Sequence, residues 1–321
     1  MIKSITVTEN LLELKSPFVT ALRRVISYPV ITVRIEMFDG RYGYGECVAT
    51  PQISGDSHDL ILRELNSSAI QNLSELSPEI ISALPFLPST KAALDMALWC
   101  LQTPVSGSVK TDVTVPIAEI SDLKGLVEQR VAAGFDCFKV KVEQSSITDL
   151  LQRIAVIREV AGEAAQIRID PNQAWSLKYA ISAARELAKT GANIEYLEQP
   201  LPKQDLAGHA ALASECEIPL MADESCFSTA DLDAVVGCGA FKYLNVKLLK
   251  AGGVVPAMEL ATRAKEAGLL ISIGSMMEGE LGIKAAIYVA QQVAPDTTHD
   301  LDAAWWFKDS SIKYTGSIVQ S

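Results

Sequence analysis

The sequence predicts an α/β barrel preceded by a smaller α+β segment, on three observations. From about Thr111 onward, short apolar, β-branched runs alternate with longer helical stretches. The ends of these runs, at Lys141, Asp170, Glu198, Asp223, Lys247 and Gly274, recur 24 to 29 residues apart, the spacing of one βα unit. No run is followed by a G-x-G-x-x-G turn, so units in series favour a barrel over a dinucleotide-binding sheet.

Within the first hundred residues, Val30–Met37 has strand composition, and Asp39-Gly40 marks a hairpin before Tyr42–Gly45. Helices are predicted over Ser57–Leu65 and Ser89–Leu101. The second has Ser89 or Thr90 as N-cap and Ala93, Met96, Ala97 and Leu101 on one face. The later strands are Val113–Ile117, Cys137–Val142, Gln166–Asp170, Ile194–Glu198, Ile218–Asp223, Phe241–Lys247 and Leu269–Gly274. The helices between them are Leu123–Ala133, Ile147–Val160, Ser176–Thr190, Leu206–Ser214, Ala230–Val236 and Val254–Ala267. Two domains are expected, 1–105 and 106–321, with the C-terminal tail packing back on the first. Trp305, Trp306 and Phe307 read as packing residues of the core or the domain interface.

Composition narrows the function. Of 321 residues, 49% are hydrophobic and 21% charged, so the chain can bury a large core. Lys+Arg number 28 against 39 Asp+Glu, a net charge of −11, which argues against nucleic acid or an anionic membrane surface as partner. No apolar run reaches the roughly 18 residues of a membrane span. Met1–Asn10 does not read as a leader peptide. None of the six cysteines forms a C-x-x-C pair, so reduced thiols and a cytoplasmic location are expected. Three histidines argue against a histidine-rich zinc site.

The chemistry lies at the strand ends, where a barrel builds its active site. Lys139 and Lys141 are two apart and face one way, as do Asn245 and Lys247. Asp170, Glu198 and Asp223 end three consecutive strands. One such acid alone is usually a helix N-cap; three at the same place in successive units are not. Lysines in apolar strands are costly to bury unpaired. Three convergent carboxylates form a hard oxygen site suited to Mg²⁺. A nearby cation lowers a lysine's pKa toward working pH, making it a general base. A metal-bound substrate carboxylate would stabilise the enediolate left when the α-proton departs.

Lys139-Val140-Lys141, Asp170-Pro171-Asn172, Glu198-Gln199-Pro200, Ala222-Asp223-Glu224-Ser225 and Asn245-Val246-Lys247 together resemble the enolase superfamily, in its muconate-lactonizing subgroup. The resemblance spans essentially the whole chain. It implies an α+β capping domain over a modified (β/α)7β barrel of the TIM type. It also implies Mg²⁺ bound by Asp170, Glu198 and Asp223, and Lys141 and Lys247 as bases on opposite faces of the substrate. Asn172, Glu224 and Asn245 would support these groups, and Lys139 would lie against the substrate.

Asp300-Leu301-Asp302 falls one unit after Ser275, near the end of an eighth strand, and resembles the dipeptide epimerase motif that holds a substrate α-ammonium. The anionic substrates of o-succinylbenzoate synthases and cycloisomerases, two alternatives of the subgroup beside N-acylamino acid racemases, would be repelled by this acid pair. Thr20-Ala21-Leu22-Arg23 resembles the N-terminal loop of L-Ala-D/L-Glu epimerases, whose arginine contacts the glutamate side chain; Arg23, or Arg24 beside it, would take that place. Ile53-Ser54-Gly55 resembles a second closing loop, and Thr114 matches a position near the substrate. Ser275 and Met277 lie on a loop that touches substrate in the family. Gly279-Glu280 departs from the pattern, and an acid there would favour a cationic substrate side chain. The expectation is an isomerase, a Mg²⁺-dependent dipeptide epimerase; a homo-oligomer is compatible with it.

Overall fold

The computed structural model describes residues 1–102 and 106–321. The expected domain boundary, at residue 105, lies outside the described residues. The chain opens with an antiparallel sheet of β1 (Ile2–Val19), β2 (Arg24–Met37) and β3 (Tyr42–Val48). Asp39-Gly40 turns β2 into β3, with Glu36 opposite Tyr42 and Gly40 left-handed. Helices α1 (His58–Leu65), α2 (Ser68–Gln71), α3 (Pro78–Ala83) and α4 (Pro88–Cys100) follow. Helix α4 packs directly on β3 because Gly43 and Gly45 have no side chain: a Cβ on Gly45 would sit 2.0 Å from the Ala93 carbonyl oxygen. The expected cap of α4 is corrected. Leu87 is the N-cap and Pro88 opens the first turn, while the Ser89 and Thr90 hydroxyls donate to Asp56 and Glu64.

After β4 (Ser108–Thr111) comes the βα series: β5 (Val113–Val115), α5 (Ile120–Ala132), β6 (Cys137–Lys141), α6 (Ile147–Ala161), β7 (Gln166–Asp170), α7 (Leu177–Lys189), β8 (Ile194–Glu198) and α8 (Leu206–Glu215). It continues through β9 (Leu220–Ala222), α9 (Thr229–Gly237), β10 (Phe241–Lys247), α10 (Leu248–Ala251), α11 (Val254–Glu266), β11 (Leu270–Gly274) and α12 (Glu280–Val293) to β12 (Thr298–His299). The short α13 (Ala303–Trp306), β13 (Lys313–Thr315) and β14 (Ile318–Gln320) end the chain.

Strands β5 to β11 form one parallel sheet in sequence order. The sheet closes through β12, which pairs in parallel with β4, bridges Gly274 to Asp300, and accepts the Asp112 N–H at His299 O, 2.9 Å away. The result is a (β/α)7β barrel. The helices carry their own caps: Ser146, Ser176, Asp205 and the Ser228/Asp231 capping box. None of Asp170, Glu198 and Asp223 is spent as a cap.

Two acids of the N-terminal segment bind barrel helices. Glu46 Oε1 accepts the Gly282 N–H (2.7 Å) at the start of α12, and Asp95 Oδ2 accepts the Val254 N–H (2.6 Å) at the start of α11. Trp306 packs edge-on against Phe18 at 4.9 Å, Leu14 bridges Phe307, and the Lys308 N–H donates to Glu13 O. The aromatic run after Asp302 is therefore packing, and that part of the tail lies on β1. The final hairpin pairs instead with β4.

Candidate active site

A cavity opens where the first sheet meets the C-terminal ends of the barrel strands. Phe18, Thr20, Leu22, Arg23 and Ile53 form its outer wall. Thr114, Lys141, Asn172, Lys247, Ser275, Met276, Met277, Asp300 and Asp302 form its floor and inner wall. Eight strands make the ring, and β6 and β10 stand second and sixth in it, so Lys141 and Lys247 face one another across the cavity. Asp170, Glu198, Asp223, Glu224, Asn245 and Lys139 lie buried behind that surface.

A chain of charges joins them. Lys141 Nζ donates to Asp170 Oδ2 at 2.5 Å and Lys247 Nζ to Asp223 Oδ2 at 2.8 Å. Lys139 Nζ lies between three acids: 2.8 Å from Glu198 Oε1, 2.7 Å from Asp300 Oδ2 and 3.2 Å from Asp170 Oδ2. The Asn245 amide donates to Glu198 Oε1 (2.9 Å) and Asp300 Oδ2 (3.1 Å), leaving its own Oδ1 without a donor. Glu198 Oε2 is buried too, with the Lys139 ammonium 2.7 Å away as its ion-pair partner.

The loops after these strands are tied to one another. Asn172, Gln173 and Gln199 all adopt left-handed backbone conformations, with φ of 46°, 69° and 39°. The buried Gln199 side chain accepts the N–H groups of Asp223 (3.0 Å) and Ser225 (2.9 Å) and donates to Ser225 Oγ (2.7 Å), fixing two acid-bearing loops against each other. Asn172 Nδ2 reaches Glu224 Oε1 at 3.5 Å.

Burial and neighbours set the charge states. Burial raises the Glu198 carboxyl, and with the acids around it outweighs Lys139, to about 7. Burial, Asp223 and Asp170 push Glu224 to about 8. Burial also opposes ionisation of Asp223, but Lys247 and Lys250 overcome it and hold that carboxyl well below the usual range. Lys139 and Lys247 lose solvation, yet their facing carboxylates hold both ammonium groups above the ordinary lysine value.

The structure places two residues whose positions the sequence left open. Arg23 lines the cavity with its guanidinium stacked 5.0 Å over the Tyr28 ring and no carboxylate within ion-pair distance among the described residues; Arg24 is exposed and faces a separate groove. Glu280 does not enter the cavity. It accepts from the Ser311 N–H and hydroxyl, so the expected acid for a cationic side chain points the other way. The loop acid that is buried there is Glu278, which accepts the Met276 N–H at 2.6 Å.

Among the described residues, one trio of acids brings its oxygens within 4.8 Å of one another: Asp112, Asp300 and Asp302. Asp112 is already paired with Arg168 (2.8 Å) and Asp300 with Lys139, while Asp302 Oδ2 accepts from Thr114 N (2.6 Å) and Trp306 Nε1 (2.9 Å). The sequence-predicted trio Asp170, Glu198 and Asp223 is spaced more widely, with lysines between its members. Sequence reasoning missed Lys250, whose buried Nζ reaches Asp223 Oδ1 (2.6 Å), Cys226 O and Asn245 O, and it missed Arg168 in the run Gln166–Asp170. The signal that singled out Lys139, a charge inside an apolar strand, marks Arg168 equally well.

Comparison with known proteins gives the family. Residues 2–109 match the family described as mandelate racemase / muconate lactonizing enzyme, N-terminal domain, and residues 122–318 match enolase C-terminal domain-like. The L-Ala-D/L-Glu epimerase of Bacillus subtilis is 32% identical over 95% of this chain and 90% of its own length; its substrate-liganded structure superposes with a TM-score of 0.93 over 99% of this chain and 95% of that one. The hydrophobic dipeptide epimerase of Enterococcus faecalis is 33% identical over 99% of this chain and 94% of its own length. An Enterococcus faecalis dipeptide epimerase complexed with Mg and L-Leu-L-Tyr superposes with a TM-score of 0.89 over 99% of this chain and 96% of that one. The N-succinyl-L-Arg/Lys racemase of Bacillus cereus is 29% identical over 87% of this chain and 81% of its own length.

Proposed function

Because the chain belongs to the mandelate racemase / muconate lactonizing enzyme family of the enolase superfamily, we propose that it is a Mg²⁺-dependent dipeptide epimerase acting on L-Ala-D/L-Glu or a similar dipeptide with an acidic C-terminal residue. The observation that carries the reaction type is the pair of lysines facing one another across a single cavity. Inversion at the α-carbon needs a proton removed from one face and returned to the other. Lys141 serves one face and Lys247 the other, each as base in one direction and as acid in the reverse.

Asp170, Glu198 and Asp223 form the oxygen ligand set for Mg²⁺. The set fits the ion: the donors are three buried hard carboxylates from successive strand ends, and Glu198 Oε2 meets only the Lys139 ammonium, 2.7 Å away. Held there, Mg²⁺ would supply Lewis-acid stabilisation of the negative charge that develops on the substrate carboxylate as the α-proton leaves. Lys139 and Asn245 fix Glu198 and Asp300 in place. Asp300 and Asp302 receive the substrate ammonium, and Thr114, Ser275 and Met277 line the path between ammonium and carboxylate. Arg23 receives the side-chain carboxylate. An unpaired, half-buried guanidinium on the cavity wall is the feature that favours an acidic side chain over a hydrophobic one. Substrates without an ammonium, as in the synthase and cycloisomerase branches, would face Asp300 and Asp302 with nothing to offer them.

In the same reading, residues 1–105 form the capping domain and 106–321 the barrel. The cytoplasm is the location we assign. Among the described residues, no helix is long and apolar enough to cross a membrane.

The test is α-proton exchange in D₂O. The enzyme should wash deuterium into the C-terminal residue of L-Ala-L-Glu and form the D-epimer. Lys141→Ala and Lys247→Ala should each abolish epimerisation, with one of them retaining exchange on one epimer. Full epimerisation by either variant would refute the two-base reading.

A further inference from the structure

Strand β12 leads directly into Asp300 and Asp302. Its two ladder residues, Thr298 and His299, pair with β4, and Asp300 is bonded to β11 through Ile273 O and the Ser275 N–H, each at 3.0 Å. What fixes it from inside the barrel is Arg168. This side chain is 1% exposed and rises from β7, two residues below Asp170 and on the same inward face. Its Nη2 donates to Thr298 O at 2.8 Å and its Nη1 to His299 O at 3.2 Å, so one planar fork grips both ladder residues of β12. Nη1 also meets Asp112 Oδ2 at 2.8 Å, Nε meets Glu195 Oε2 at 2.8 Å, and the plane stacks 5.0 Å over Tyr196. Every edge of the guanidinium is used, which a lysine's single point of charge cannot reproduce.

We propose that Arg168 is the positioning residue for recognition of the free amine. It touches no substrate. It acts by holding β12 at the height where Asp300 and Asp302 meet an ammonium, and by balancing Asp112, the third acid of that cluster. The electrostatics require such a device. Asp112, Asp300 and Asp302 lie with oxygens within 4.8 Å of one another; Lys139 (2.7 Å) and Lys247 (4.0 Å) lie against Asp300, and Arg168 is the ion-pair partner of Asp112. Arg168 thus balances the acid that the lysines do not pair with and keeps the three at this spacing. The inference rests on the dipeptide reading above and adds a residue to it.

The experiment compares two ligands that differ only in the amine: L-Ala-L-Glu, and N-propionyl-L-glutamate, in which the amine is replaced by hydrogen. For the Mg²⁺-loaded enzyme, Arg168→Lys should raise KM for the dipeptide about tenfold, change kcat less, and leave the inhibition constant of the propionyl compound within twofold. A general loosening of the fold would weaken both ligands alike, and equal changes, or none, overturn the proposal. Asp302→Asn separates this from the underlying reading. If Asp302→Asn weakens the dipeptide alone while Arg168→Lys does not, the positioning role of Arg168 falls and the ammonium seat stands. If Asp302→Asn leaves the dipeptide unaffected, both fall. Should Arg168→Lys fail to fold, Glu195→Gln, at the partly exposed end of the same guanidinium, carries the same comparison at smaller amplitude, and an unchanged selectivity there also overturns the proposal.

Discussion

Arg23→Met isolates substrate choice from chemistry. The guanidinium sits at the cavity wall, half-buried, stacked on Tyr28, with no acid of the described protein in reach. Burial lowers its pKa, which is the mark of a cation that has lost water without gaining an anion. A substrate carboxylate docking there forms a charge-assisted, two-pronged contact. Such contacts contribute about 1.5–3 kcal/mol net for each hydrogen bond to a charged group, and less where water still reaches them. Taking about 2–3 kcal/mol for the pair, Arg23→Met should lower kcat/KM for L-Ala-L-Glu by roughly 30- to 150-fold. The loss should appear mainly in KM, because the side-chain carboxylate is held equally before and during proton transfer. L-Ala-L-Met, of similar length and uncharged, should be turned over as well by the variant as by the parent, or better. Stability should barely move: the variant gives up one cation–π contact of about 0.5–1 kcal/mol and no salt bridge. Initial rates of α-proton exchange in D₂O for both dipeptides provide the assay. A loss of similar size for both substrates, or no loss for either, would refute the assignment of Arg23 to the side-chain carboxylate.

Three further outcomes follow from buried groups. Lys250→Met leaves Asp223, 1% exposed, with one ammonium fewer, and should cost about 3–5 kcal/mol in urea unfolding, as expected when one partner of a buried pair is removed. Glu46 is raised to about 7 from the ordinary 4.5, mainly by burial, so the folded protein binds its proton more tightly than the unfolded chain does. That contribution is present in full below pH 4.5 and is lost as pH rises through about 7. Asp95 (about 6) and Glu278 (about 8) act in the same direction. The thermal midpoint should therefore fall between pH 5 and 8, and Glu46→Gln should flatten the fall by up to about 3 kcal/mol of pH-dependent stability. Gly45→Ala places a methyl 2.0 Å from the Ala93 carbonyl, forcing α4 off β3, and should lower the thermal midpoint by several degrees; an unchanged midpoint would show that the helix can move without cost.

The barrel was legible because it is built from repeats of one local pattern. Strands β6, β7, β8 and β10 are short apolar runs ending in a charge, and helices α6 to α9 open on serine or aspartate caps, so the spacing of strand ends carries the topology. Where that pattern stops, prediction stops with it. Strand β1 runs 18 residues through alternating charged and apolar positions, a pattern that reads weakly because most of its outer face is in water. Helix α12 is buried on most sides, with Ile283, Ala285, Ala286, Ile287, Val289 and Ala290 all inside, so it shows no single apolar stripe. The acids and lysines were found because a charge in an apolar strand needs a reason. Arg168 satisfies the same criterion, but its partners lie on β5's approach, β8 and β12, and no local spacing reveals a contact made across the barrel. Glu280 shows the converse: position in a substrate loop says nothing of direction, and its carboxylate faces Ser311.

The cavity also divides its labour between the two parts of the chain. Phe18, Leu22, Arg23 and Ile53 come from the capping segment, while both lysines and all the acids near them come from the barrel. Selectivity for a side chain then depends on one part being seated on the other to within a fraction of an ångström. Glu46 and Asp95 provide that seat. Each is a buried carboxylate from the capping segment that accepts backbone N–H groups at the start of a barrel helix, α12 and α11, on either side of β11 in sequence. A carboxylate at a helix N-terminus is held both by hydrogen bonds and by the helix dipole, and it fixes direction as well as distance. The loop Ser275–Glu278 lies between these two anchor points in the chain, so the same contacts that dock the cap also frame one wall of the cavity. Changes in the β1–β2 turn can therefore alter which side chain is accepted without moving Lys141 or Lys247. Changes at Glu46 or Asp95 shift every capping contact relative to the lysines at once, and should degrade all dipeptides together where Arg23→Met degrades only acidic ones.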